Sequence, residues 1–237
     1  MQGIKTVALK HLATALENDA NHIPSIVLLC QILFDEKKYD QIQKIIDKVS
    51  FLLREHDEIL FIKAKLLYLT DHVDESISIL EKVLSYKNKD IKFYDLALKV
   101  HKKNNDILAQ QQILESIIDI EPTNGNAHLN LGKLINDPLD FEKKKLILEI
   151  AFDLLPSDSR PSWELAKIYI NFDDSSSNKA LKKSQYFEKA LKYLQTALKI
   201  KPTESKYIFA LSKLYFEHNK PDLAEKNFRK LISSDFK

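Results

Sequence analysis

Residues 121–135 read EPTNGNAHLNLGKLI, and they hold two of the chain's three glycines, Gly125 and Gly132. Gly132 stands inside an otherwise helical pattern, where it costs roughly 1 kcal/mol relative to alanine. That cost asks for a packing reason, and the reason is found by locating the same position elsewhere. Pro122 and Pro156 lie 34 residues apart and follow similar apolar runs, SIIDIEP and EIAFDLLP. A third run, ALKIKP, ends at Pro202, one such period plus 12 residues further on. The segments after the three prolines are AHLNLGKLI, SWELAKIYI and YIFALSKLYF. Each places a small residue after a leucine and an apolar residue three places later: Leu131-Gly132-Ile135, Leu165-Ala166-Tyr169 and Leu211-Ser212-Tyr215. Gly132 therefore fills the small-residue slot of a repeat, shared with Cys30, Ala64, Ala166 and Ser212. A small side chain lets two helices approach closely at their crossing.

Carried through the chain, the 34-residue frame predicts units 23–56, 57–90, 91–124 and 125–158. It then predicts 159–204, with an insertion at 172–183, and 205–237, preceded by a half unit over 1–22. Each unit holds two helical patterns joined by a short polar turn such as DEKKYD, TDHVDE or EHNKPD. The second patterns, among them DESISILEKVL and FEKALKYLQTALKI, repeat apolar residues at the spacing of one packed helical face. Fixed periods of this kind mark arrays in which each unit buries its apolar face against its neighbours.

The pattern resembles the tetratricopeptide repeat, whose signature is W-x2-L-G-x2-Y, then A-x3-F, then P in 34 residues. The last unit carries Leu211, Ser212, Tyr215, Ala224, Phe228 and Leu231. The fifth carries Leu165, Ala166, Tyr169, Ala190, Leu194, Ala197 and Pro202, and the fourth Leu131, Gly132, Ile135, Leu148, Ala151 and Pro156. The second is looser, and in the third Ala97-Leu98 and Ala109 sit about one place off the frame. The resemblance covers the whole chain. It implies an all-α, right-handed superhelical α-solenoid of antiparallel helix pairs, about six units plus the N-terminal half unit. In the family the first helices line a concave groove that takes an extended peptide or a partner helix.

Two departures stand out. Val7, Ala8, Leu12, Ala15 and Leu16 look like a second helix without a first, and the chain ends on a second helix. The reading is either a natural cap or a piece of a longer protein, with self-association of the array ends as a further outcome. The insertion contributes an exposed loop over Asp173–Asn178, after which Ala180, Leu181, Ser184 and Phe187 extend the second helix of the fifth unit.

Composition sets limits on function. The charged content is 30%, the hydrophobic content 44% and the net charge +2, so nothing global points to a nucleic-acid or membrane partner. The longest apolar stretch, around Ile26–Phe34, is too short to span a bilayer, and no signal peptide is recognised, so a cytoplasmic protein is expected. One cysteine, Cys30, permits no internal disulfide and reads as a small buried residue. The seven histidines include no pair three or four apart that would chelate a metal from one helix. No phosphate-binding or nucleophile motif is present, so neither an enzyme nor a cofactor is expected.

The ninth residue of each unit reads Gln31, Lys65, Lys99, Lys133, Lys167 and Lys213. The resemblance makes these groove positions, joined by Asn130 and Arg160 and by the aromatics Phe61, Tyr68 and Trp163. Such a stripe suits an acidic peptide, with aromatics packing its side chains; the other reading of the lysines is a solvated face. Lys99, Asn130 and Arg160 fit parts of the family's clamp for a C-terminal carboxylate, but Asp95 and Glu164 stand where that clamp wants cations. The expected partner is a protein or peptide, and the expected role a non-catalytic scaffold or adaptor. The alternatives are a targeting module cut from a larger protein, such as a glycosyltransferase or sulfotransferase, and an RNA-binding helical repeat. The strict 34-residue period and near-neutral charge argue against RNA.

Overall fold

A computed structural model describes residues 2–85, 89–171 and 179–235, with side chains described for all of these but 2–6, 138, 179–183 and 232–235. The expected loop at 173–178 lies outside the described residues. Thirteen α-helices occur among them, and no strand. They are α1 (Gln2–Asn18), α2 (Ile23–Asp35), α3 (Tyr39–Lys48), α4 (Asp57–Leu69), α5 (Val73–Ser85), α6 (Ile91–Lys103) and α7 (Ile107–Ile120). There follow α8 (Gly125–Leu134), α9 (Phe141–Leu154), α10 (Ser159–Ile170), α11 (Lys179–Ile200), α12 (Ser205–Glu217) and α13 (Pro221–Asp235). Short 3-10 turns lie at Phe51–Leu53 and Pro138–Asp140. The chain has an all-α helical-repeat fold. It forms two compact units, residues 1–116 and 117–237.

In the first unit α2 packs on α1, α3 and α4, and α5 packs on α4 and α6. Its core gathers Ile26, Leu33, Ile42, Ile46, Ile59, Ile62 and Leu66. In the second unit α8 packs on α9 and α10, α10 on α9 and α11, and α12 on α11 and α13. Its core gathers Leu129, Leu148, Leu165, Tyr169, Phe187, Leu194, Leu211 and Tyr215.

The small-residue slot of the first helices is sealed. Cys30, Ala64, Ala166 and Ser212 have 0% exposure, and Gly132 is buried. In α6 the sealed residue is Ala97, while Leu98, the one the 34-residue frame selects, is half-buried.

The turn between helices repeats as faithfully as the helices. Lys37, Asp71, Asn105 and Asn219 have φ of 56°, 71°, 55° and 53°. Each ends a first helix in left-handed backbone without a glycine. The next N–H, of Lys38, His72, Asp106 and Lys220, then donates to the carbonyl of Leu33, Leu67, His101 and Tyr215 at 2.8–3.0 Å. This is the Schellman closure that satisfies a helix's last carbonyls. At the other end, Asp90, Asn124 and Asp158 accept N–H groups from the first turns of α6, α8 and α10.

One slot on the second helices varies. Its occupants are Ile42, Ser76, Gln110, Lys144, Ala190 and Ala224. The alanines are almost fully buried. The polar occupants stay there by donating to first-helix carbonyls. Ser76 Oγ bonds the Ala64 carbonyl at 2.9 Å and Gln110 Nε2 the His101 carbonyl at 3.4 Å. Lys144 Nζ bonds the Ile135 carbonyl at 2.8 Å.

Candidate functional site

The fourth turn breaks the rule, and a cavity opens beside it. Helices α2, α4, α6 and α12 each run 13 residues, whereas α8 runs 10. The cause is Pro138. It has no N–H to give the Leu134 carbonyl, and it disfavours helical backbone at Asp137. The chain leaves the helix at Ile135 with φ −75° and ψ 112°, and a 3-10 turn replaces the left-handed residue. Ile135 is therefore the counterpart of Leu33, Leu67, His101 and Tyr215, but the main-chain donor they use is gone. Lys144 Nζ supplies the hydrogen bond instead.

Beside the end of α8 there is a cavity of about 330 Å³. It is lined by Ile135, Asn136, Asp137, Phe141 and Lys144, by Glu164, Lys167 and Ile168 of α10, and by Asn171. Glu164 is 9% exposed and its carboxylate lies 2.7 Å from Lys167 Nζ. Lys144 is half-buried, and burial pushes its ammonium below the ordinary lysine range. The Glu164 carboxylate opposes that shift, and the Lys167 charge adds to it. The site thus holds two cations, two carboxylates, the buried Glu164 and the exposed Asp137, and an apolar wall.

The residues expected to line the groove have several fates. Lys99 and Lys133 are exposed and form no ion pair among the described residues. Lys65 Nζ rests 4.2 Å from the Phe34 ring centre, and Lys213 lies 3.6 Å from Glu217. Lys167 serves the cavity and also lies over Trp163, 5.7 Å from the ring centre. Asn130 is half-buried. Arg160 is held by Asp158 and donates to Asn126 Oδ1 at 2.9 Å. Asn126 and Arg160 are one period apart. In the first unit the same step joins Glu58 to Lys92, which also lies 2.9 Å from Asp90.

The aromatics pack between successive first helices. Phe61 meets Phe93 edge-on at 5.2 Å, and Trp163 meets Tyr207 at 5.2 Å. These two pairs hold equivalent positions in their repeats. Lys103 lies over the Tyr68 ring at 5.3 Å.

Sequence reasoning missed Lys144, which belongs to a second helix and not to the stripe. The signal was present: a lysine where Ala190 and Ala224 stand in later repeats, six residues after a proline that interrupts the preceding turn. Among the described residues, no group of three His, Cys, Asp or Glu side chains is placed to hold a metal, and no helix is long and apolar enough to cross a membrane.

Comparison with known proteins bears on the fold. Residues 179–204 match the family model described as tetratricopeptide repeat. Among curated proteins, no sequence matches this chain. Among solved structures, the fold is similar to MamA, with a TM-score of 0.61 at 17% identity, over 75% of this chain and 90% of that one. MamA from Desulfovibrio magneticus RS-1, residue 41 to the end, aligns at TM-score 0.60 and 15% identity, over 75% of this chain and 94% of that one. YrrB, described as a TPR protein with an unusual peptide-binding site, aligns at TM-score 0.59 and 14% identity, over 76% of this chain and 87% of that one.

Proposed function

From the premise that this chain is a tetratricopeptide-repeat protein, we propose that it is a non-catalytic scaffold that holds a peptide or helix of a partner protein on its first-helix faces. The observation that carries the reading is the cavity beside α8. It is a concave, part-apolar site with convergent charged groups, the usual form of a specific recognition site. The exposed ammonium groups of Lys99 and Lys133 support an acidic partner, because neither is consumed by an internal carboxylate among the described residues. YrrB adds an analogy: a similar fold in which a peptide-binding site is described. Arg160, Phe61, Trp163 and Tyr68 act in this reading by holding first helices in register, and less as contacts to the ligand.

The test is capture from native lysate by the full chain beside a Lys99→Glu/Lys133→Glu variant, with circular dichroism on both. A partner retained by the wild type and lost by a folded variant supports the scaffold reading with an acidic ligand. Equal capture by both removes the acidic-ligand part. A nuclease-sensitive excess of absorbance at 260 nm in the captured material replaces the protein partner with RNA.

A further inference from the structure

The first unit carries a protruding apolar pair and an apolar hollow side by side. Helix α3 ends at Lys48, and Phe51–Leu53 form a 3-10 turn before α4 begins at Asp57. Leu53 packs on the core, while Phe51 and Leu52 are 82% and 87% exposed. The turn is held in place. The Ser50 N–H donates to Asn21 Oδ1 at 3.3 Å, and the Leu53 N–H to the Ser50 carbonyl at 3.0 Å. The corresponding connections of later units, EPTN at 121–124, LPSD at 155–158 and KPTE at 201–204, hold no such pair of large apolar residues.

The hollow has a volume of about 410 Å³, and its apolar wall is made by Ala13, Leu16, Ala20, Ile26, Ile45 and Val49. Val49 stands two residues before Phe51, so the pair and the hollow share one face of the chain. Glu17 and Lys48 complete the lining, both exposed and without an ion pair among the described residues.

We propose that this face docks on the same face of a second copy of the chain, each Phe51-Leu52 pair entering the other copy's hollow about a two-fold axis. The inference is independent of the scaffold reading, because it uses none of the residues assigned there to peptide binding. Three arguments select this occupant. A knob and a hole on one surface make a self-complementary patch, the requirement of an isologous interface, and the chain's own knob stays in solvent. The hollow carries one anion and one cation, so it favours neither an acidic nor a basic ligand. A copy turned about the two-fold presents the same two charges in reverse order, carboxylate towards ammonium. Two Phe51-Leu52 pairs with the walls that receive them bury on the order of 1,000 Å², the lower edge of specific interfaces. The dimer is therefore a weak one that forms as concentration rises.

The experiment follows the full chain by sedimentation velocity from low micromolar to half-millimolar concentration. The wild type should show a reversible monomer–dimer equilibrium. Phe51→Glu/Leu52→Glu removes the knob, and Ala13→Trp fills the hollow from an exposed helix position; circular dichroism checks that each is folded. Alone, each variant should dimerise at least ten-fold more weakly than the wild type. Mixed, they should associate with each other more tightly than either does with itself, since one keeps an open hollow and the other an intact knob. A wild type that stays monomeric throughout overturns the proposal, as does a dimer indifferent to both variants or a mixture no tighter than its components. A monomeric wild type that co-floats with phosphatidylcholine vesicles through Phe51 and Leu52 overturns it too, and makes a lipid surface the occupant. If Ala13→Trp fails to fold, Ala20→Trp closes the same hollow from the turn after α1.

Discussion

A β-carbon on Gly132 would stand 2.6 Å from both Cγ and Cδ2 of Leu148, so the glycine is the condition on which α8 and α9 approach. Leu148 is fully buried, and its branch point cannot swing aside as the end of a long side chain would. The gain in helix propensity from alanine, roughly 1 kcal/mol, is then outweighed by overpacking. Gly132→Leu should lose about 1–3 kcal/mol in urea unfolding, and Gly132→Ala should lose stability as well. Leu148→Ala alone should cost about 2–5 kcal/mol. The Gly132→Ala/Leu148→Ala double variant should cost less than the sum, since each change makes room for the other. Additive losses would show that the two residues do not share a contact.

Four turns end in left-handed backbone without glycine, and Lys37 is the least suited to it. An L residue there costs roughly 1–2 kcal/mol, less for asparagine, whose short polar side chain suits the conformation. Glycine removes that strain at an entropic cost of about 0.5–1 kcal/mol. Lys37→Gly should therefore stabilise the chain by about 0.5–1 kcal/mol, while Asn219→Gly should be close to neutral. Paired urea melts check this; a destabilised Lys37→Gly would mean that its side chain contributes more than its backbone costs.

Cys30 has 0% exposure, and burial pushes its thiol up to about 12. The thiolate is the reactive species, so at pH 8 the native protein should label with a thiol reagent about a thousandfold or more slowly than an ordinary cysteine. Denaturant should bring the rate to the ordinary value, with a midpoint matching the far-UV transition. Rapid labelling of the folded chain would place Cys30 outside the α2 core.

The fold class was legible because period, helical stripe and small-residue slot all indicate the same packed unit. Gly132, Ala166 and Ser212 fall where a crossing demands them. The third unit was harder to place because α6 seals Ala97 and not Leu98, a one-residue rotation that a fixed period does not express. The lysine stripe was legible as a set of equivalent positions, but not as a set of equivalent environments. Lys167 has a glutamate three residues earlier, one helical turn away, and Lys65 has the Phe34 ring, while Lys99 and Lys133 face solvent. Phe61 and Trp163 were read as groove aromatics; spacing alone does not reveal that Phe93 and Tyr207 of the following helices pack against them. Lys144 escaped because its role depends on a carbonyl left over when Pro138 ends α8, a relationship between two elements that no single helical pattern carries.

That leftover carbonyl makes a prediction about pH. Burial lowers the proton affinity of Lys144 in the folded chain, whereas in the unfolded chain it titrates as an ordinary lysine, near 10.4. Below both values the folded state carries a half-buried charge that destabilises it. Between them the unfolded state binds more protons than the folded one, so stability rises with pH through that window. Lys144→Met keeps the stem and removes the charge. It should be more stable than wild type at pH 7, and its advantage should shrink as pH climbs towards 10.5. The quantity to measure is the difference in urea midpoint between the two proteins at pH 7, 9 and 10.5, in which titrations common to both cancel. A gap that stays constant would mean that Lys144 keeps its full charge to the ordinary lysine value and is hydrated in the cavity. A gap that widens with pH would mean that the Lys144 ammonium is a net stabiliser, held by Ile135 and Glu164 more strongly than burial opposes it.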